Sequence, residues 1–239
     1  MKREISYFTE LEKWYKKTPG SGFKKYILEE IHNLRDYSQG NNVLYLGPSE
    51  FSKKFQFKSH LSFIFFDDFN LSNHIKNQQK MPFGDNSHDL IIIVHTLDYV
   101  QNPYELVREI DRIATDGAKI ILIGFNKSSI WGLIKPFMKK QIPWNLNYHS
   151  IYAINEWFKL LGYERKYHDT TNLIPYFNKN TEKFFDFFKF FQKLFLRNFG
   201  GTYFLVFHKK SIPYTTQKIK FNQKYIVSPF AKKGLNRVK

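Results

Sequence analysis

Apolar positions along the 239-residue chain follow two different periods. Over Ser6–Lys17 and Phe23–Tyr37 they recur at helical spacing. In the second segment Ile27, Ile31 and Leu34 stand at i, i+4 and i+7 and predict a buried stripe. Between the two segments, Thr18-Pro19-Gly20-Ser21-Gly22 reads as a helix breaker. The pattern then changes to short, nearly continuous apolar runs: Asn42–Leu46 stopping at Gly47, Phe63–Phe66 stopping at Asp67-Asp68, and Asp89–Thr96. Such runs suit strands covered on both faces of a parallel sheet.

A helix follows, with Asn102 as N-cap, Pro103 at N1 and Glu105 at N3 placed to reach back to the cap. Leu106, Ile110 and Ile113 mark its buried face, and Asp116-Gly117 is expected to end it. Lys119–Phe125 is a further apolar strand, so this stretch predicts a right-handed βαβ crossover. Ile151–Leu161 is a helix closed by Gly162, and strands are expected at Tyr163–His168 and Gly201–His208. The alternation predicts an α/β fold: a doubly wound, mostly parallel, seven-stranded sheet with an antiparallel last strand and helices on both faces. The expected organisation is a helical preface over 1–40, a Rossmann-like domain over 41–208 and a basic tail over 209–239. Within the domain, 171–200 is an aromatic helical insertion in which Thr181–Phe195 carries an unusually wide apolar arc.

Composition narrows the classes. The chain has no cysteine, which excludes disulfides, thiolate metal sites and a cysteine nucleophile, and fits a reducing cytoplasm. The opening segment has charged or polar groups every few residues and does not read as a secretory signal. The histidines show no metal-ligand spacing, so no metal is expected. Net charge is +16, but the cations are mostly Lys, where bidentate phosphate grips favour Arg. Nine of them lie in 209–239, which has no acid, so the body is only moderately basic. The tail is expected to be a solvated extension. An anionic membrane surface or nucleic acid is its candidate partner, and the aromatic insertion is a candidate lid for an apolar acceptor or a membrane contact.

In doubly wound sheets ligands bind beyond the carboxyl ends of the strands. Gly47 after the first strand permits a tight turn. Asp67 lies twenty residues on, at the end of the second strand, where an acid can accept hydrogen bonds from a ribose diol. Each alone has a structural explanation; in this order they point to an adenosine-containing ligand.

Met81-Pro82-Phe83 followed by Asn86-Ser87-His88-Asp89-Leu90, then His95-Thr96-Leu97-Asp98-Tyr99, Asn102-Pro103 and Gly124-Phe125-Asn126 resemble a known pattern. It is that of the class I, Rossmann-like S-adenosylmethionine-dependent methyltransferases, nearest their small-molecule type and a bacterial subgroup within it. The block spans about residues 81–133, and the wider likeness about 20–208. The resemblance implies S-adenosylmethionine as cofactor and a small-molecule methyl acceptor. It implies that Tyr45, Gly47, Asp67, Asn77, Gln78, His95 and Leu97 hold the cofactor, with Asn77 or Gln78 as neutral acceptors for the adenine. Asn126, Ser129 and Trp131 fall on the acceptor side, with a helix-capping role as the alternative for Asn126 and Ser129.

The departures lie in the first loop. Where the family has acidic-x-Gly-x-Gly-x-Gly, this chain has Tyr45-Leu46-Gly47-Pro48-Ser49-Glu50. Tyr45 carries no charge at neutral pH, and Pro48 lacks an amide donor. His95 is the candidate general base, against the alternative of a hydrogen-bonded histidine. Methyl transfer from a sulfonium needs such a base only when the acceptor must lose a proton. Two other functions compete: a binding or regulatory protein on this fold that no longer uses the cofactor, and an RNA methyltransferase.

Overall fold

The computed structural model describes residues 7–17, 20–52, 54–55, 65–66, 80–138, 141–173 and 196–211. Asp67, Asn77, Gln78, the aromatic segment 181–195 and the tail from 212 lie outside the described residues.

Two helices, α1 (Tyr7–Lys16) and α2 (Gly20–Asn33), precede β1 (Val43–Leu46) and a short helix α3 (Ser49–Ser52). Then come β2 (Phe65–Phe66), β3 (His88–Val94), the one-turn α4 (Thr96–Tyr99), α5 (Pro103–Ile113) and β4 (Ala114–Phe125). The chain continues through α6 (Ile130–Met138), α7 (Ile151–Leu160), β5 (Tyr163–Thr171) and β6 (Thr202–Lys209). Strand order is β2-β1-β3-β4-β6-β5. The first four strands run parallel, and β6 is antiparallel to both β4 and β5. The predicted architecture therefore stands. Among the described residues the sheet has six strands, where seven were expected.

The period of two along each strand builds both faces. Leu44, Ile91, Ile93, Ile120 and Leu122 point to one side and pack with Leu106 and Ile110 of α5 and Ile154 and Phe158 of α7. Val43, Tyr45, Ile92, Ile121 and Ile123 point to the other, against Leu11 and Tyr15 of α1, Phe23 and Ile27 of α2 and Trp131 of α6. Strands covered on both sides can be apolar throughout, which explains the unbroken Ile and Val runs. The N-terminal preface thus forms one wall of the sandwich.

Two local expectations need correction. First, α5 ends at Ile113, not at Asp116-Gly117. His88 pairs with Ala114 while Leu90 pairs with Lys119, so β4 bulges over 115–118, and Gly117 occupies a positive φ of 75° in that bulge. Second, Asn102 makes no side-chain bond to the backbone amides of α5; its Nδ2 donates to Glu105 Oε1 at 2.8 Å. Helix entry rests on Pro103, whose missing N–H would have no partner in a first turn.

Candidate functional site

The chain leaves β1 toward β2 on one side and returns to β3 on the other, so strand order reverses between β1 and β3. This is where a doubly wound sheet opens a crevice at its carboxyl edge. Both strands end there in unusual backbone. Gly47 has a φ of 153°, and a Cβ on it would stand 2.6 Å from the Val94 carbonyl oxygen. Glycine therefore lets the turn after β1 lie directly on the end of β3. His95 caps α4 in the left-handed region, at φ 57° and ψ 3°. Thr96 Oγ1 donates to the Leu46 carbonyl at 3.0 Å and ties the two strand ends together.

That backbone turn sends the His95 ring into a fully buried hydrogen-bonded chain. Its Nδ1 lies 3.0 Å from Asp98 Oδ2, and its Nε2 lies 2.7 Å from the Tyr15 hydroxyl of α1. Phe125 stacks on the ring at 4.4 Å, and its backbone N–H donates to the same Asp98 oxygen at 3.0 Å. Burial pushes the Asp98 carboxyl above its ordinary value, against the lowering effect of His95. Burial pushes the Tyr15 phenol well up too, so it keeps its proton. An ionised Asp98 has no proton to give and fixes the proton on Nδ1; Nε2 then accepts from Tyr15. Asp98 Oδ1 and the hydroxyls of Tyr148 and Tyr203 are buried beside this chain without a hydrogen-bond partner. Asp98 and Tyr15 escaped the sequence reading. Asp98 had a readable signal, an acid three residues after His95; Tyr15 had none, because it arrives from 80 residues away.

The methyltransferase-domain family model matches residues 54–122. YafS of Escherichia coli (strain K12), an uncharacterized protein, is 29% identical over 142 residues. The match takes in 59% of this chain and just over half, 56%, of that relative's length. A solved S-adenosylmethionine-dependent methyltransferase of Archaeoglobus fulgidus superposes with a TM-score of 0.52 at 14% identity, over 85% of this chain and all of the other. A chain from the Haloferax volcanii complex of the Trm112 methyltransferase activator with a candidate methyltransferase gives the same score at 14% identity, over 86% of this chain and 99% of its own. The chain shares the class I methyltransferase fold, and its residues 54–122 match the methyltransferase-domain family.

Much of the pattern around residues 81–113 holds the fold together. Arg112 donates to the carbonyls of Phe83 at 2.9 Å and Met81 at 3.2 Å, and pairs with Glu109 and Asp85. Glu109 accepts from the Met81 N–H at 3.0 Å. The Met-Pro-Phe segment is thereby strapped to α5. Burial, the largest single influence, would raise the Glu109 carboxyl. The hydrogen bonds from Arg112 and the Met81 N–H, together with the Arg112 and Lys80 charges, outweigh it and hold the carboxyl below its ordinary value.

Asn126, Ser129 and Trp131 each make hydrogen bonds within the fold, as the helix-capping alternative for the first two expects. All three are buried. Asn126 Nδ2 donates to the Asn198 and Gly200 carbonyls, and its Oδ1 accepts from Ser128 N. Ser129 Oγ accepts from Gly132 N in the first turn of α6. Trp131 Nε1 donates to the Asn172 carbonyl and stacks on Trp144. Leu97 is buried, and its carbonyl lies 3.0 Å from His149 Nε2.

At the turn after β1, Tyr45 is buried and its hydroxyl donates to the Pro48 carbonyl at 2.7 Å. Burial raises its phenol well above the usual value, so position 45 offers no charge to an ammonium. The charged groups at this turn include Glu50 of α3 and Lys24 of α2, which pair directly, and Glu12 of α1, which accepts from Ser49 Oγ at 2.8 Å. Glu50 keeps a second, buried carboxylate oxygen without a hydrogen-bond partner. Tyr15 and Lys24 also line an open-sided cavity of about 1050 Å³. A carboxylate and an ammonium side by side match the zwitterionic end of an amino acid. The charge types at this turn suit the methionine end of S-adenosylmethionine, and Glu50 supplies an acid where position 45 does not. The cavity itself is lined from α1 and α2, and Glu50 does not border it.

Proposed function

We propose that this chain is an S-adenosylmethionine-dependent methyltransferase acting on a small-molecule acceptor. The observation that carries the reading is the buried Tyr15–His95–Asp98 chain at the point where strand order reverses. A buried, oriented imidazole at the ligand edge of such a sheet is a costly arrangement for packing alone. The cofactor, when bound, supplies a methyl group on a sulfonium. Glu50 and Lys24 would hold its amino-acid end, Gly47 and the backbone at Leu97 would border it, and Asp67 with Asn77 or Gln78 would take its nucleoside.

His95 has its acceptor nitrogen directed at Tyr15. It therefore serves first as a hydrogen-bonded positioning residue. It becomes a base for an acceptor proton only when Tyr15 withdraws.

A second reading, a binding or regulatory protein on this fold that no longer uses the cofactor, is favoured by one observation. The turn from Tyr45 to Pro48 is closed on itself and buried. Titration calorimetry with S-adenosylmethionine and S-adenosylhomocysteine tests the proposal. Micromolar binding of both, with label transferred from a methyl-labelled cofactor to a cell-extract small molecule, supports it. Millimolar-range or absent binding supports the second reading and overturns the cofactor assignment.

A further inference from the structure

α6 has the sequence IWGLIKPFM, and among these nine residues only Trp131 is buried. Ile130, Leu133, Ile134 and Phe137 stand at i, i+3, i+4 and i+7 and form one apolar stripe. Leu133 is 73% exposed and Phe137 is 88% exposed. Scattered exposed apolar residues are ordinary, but a continuous stripe on one short helix is a binding feature.

The sequence that immediately flanks it carries one sign of charge. Residues 126–155 contain Lys127, Lys135, Lys139 and Lys140 and no Asp or Glu. Lys127 is exposed, and Lys135 lies 5.2 Å from the centre of the Tyr148 ring at the base of the helix. Two copies meeting through this face would bring lysines against lysines, so self-association is disfavoured. RNA recognition uses stacking aromatics with Arg, and α6 offers mainly aliphatic groups. An anionic bilayer satisfies both features, with apolar side chains entering the acyl boundary and ammonium groups reaching lipid phosphates. At about 1.5 Å per residue a nine-residue helix is far too short to cross a bilayer, so it lies in the interface plane.

We infer that α6 is a peripheral docking element for anionic membranes. It follows the carboxyl end of β4 by a short loop, so docking brings the edge of the sheet that carries His95 toward the lipid surface. The inference does not depend on catalysis.

The test is co-sedimentation of the full chain with phosphatidylglycerol-containing vesicles and with pure phosphatidylcholine vesicles. The wild type is expected to bind the former and not the latter, and to be released by salt. Leu133→Asp with Phe137→Asp should lower the partition coefficient by about tenfold or more, and Lys127→Glu with Lys135→Glu by several-fold. The Leu133→Asp, Phe137→Asp variant should keep the wild-type melting temperature and cofactor affinity, which separates a failure here from a failure of the methyltransferase reading. Four results would overturn the inference: indifference of the wild type to anionic lipid; aspartate variants that bind undiminished, which would assign the contact to another basic segment; a fall in melting temperature in those variants, which would mean that the chain itself covers the stripe; and a solution dimer that they abolish.

Discussion

The Tyr15–His95–Asp98 chain makes opposite demands on its members. Tyr15→Phe removes the donor to Nε2 and leaves a buried acceptor unmet, at a cost of about 1–3 kcal/mol in urea unfolding. Asp98→Asn has a different signature. The Asp98 carboxyl is raised in the folded state, so the folded protein binds the extra proton and loses stability as pH rises from the ordinary carboxylate range through the raised value. An amide oxygen at the same place can accept from both His95 and Phe125 while carrying no charge. The wild-type minus Asp98→Asn stability difference should therefore decline with rising pH across that window; a flat difference would contradict a desolvated carboxylate. His95 could be singled out in the sequence because it directly follows the strand run ending at Val94. Its partners could be identified only once the fold had placed α1 over the sheet, since neither periodicity nor spacing relates residue 15 to residue 95.

At the scale of elements, the strands were the most legible part. An apolar run buried on both faces needs no partner information to be recognised, and β1, β3, β4 and β6 all fall on such runs. Ends were less legible, because they are set by pairing across strands. Asp116-Gly117 has the form of a helix stop, but Ala114 has already joined β3 through His88. The family pattern around 81–90 hid its own purpose. Arg112 gathers two carbonyls and two carboxylates of that region, a task for a planar fork of donors. Arg112→Ala should cost about 2–3 kcal/mol, and Arg112→Lys should recover only part of it, measured by thermal unfolding. Equal stability of the two variants would show that charge alone suffices.

Across the whole molecule, two helices before the Rossmann-like core complete one wall of the sandwich and carry Tyr15 and Lys24 to the ligand edge. The sequence showed the loss of the acid and glycines from the first loop, but not what replaces them. Glu50 and Lys24 are far apart in sequence and meet only because α2 packs beside α3. The account's central claim is that this pair holds the amino-acid end of S-adenosylmethionine. Equilibrium binding of labelled S-adenosylmethionine to the wild type and to Glu50→Gln tests it most directly. The account predicts micromolar binding by the wild type and a loss of about tenfold or more in the variant, the effect of removing one charged partner of an ammonium. Wild-type and variant affinities that agree, or no binding by either, would contradict it.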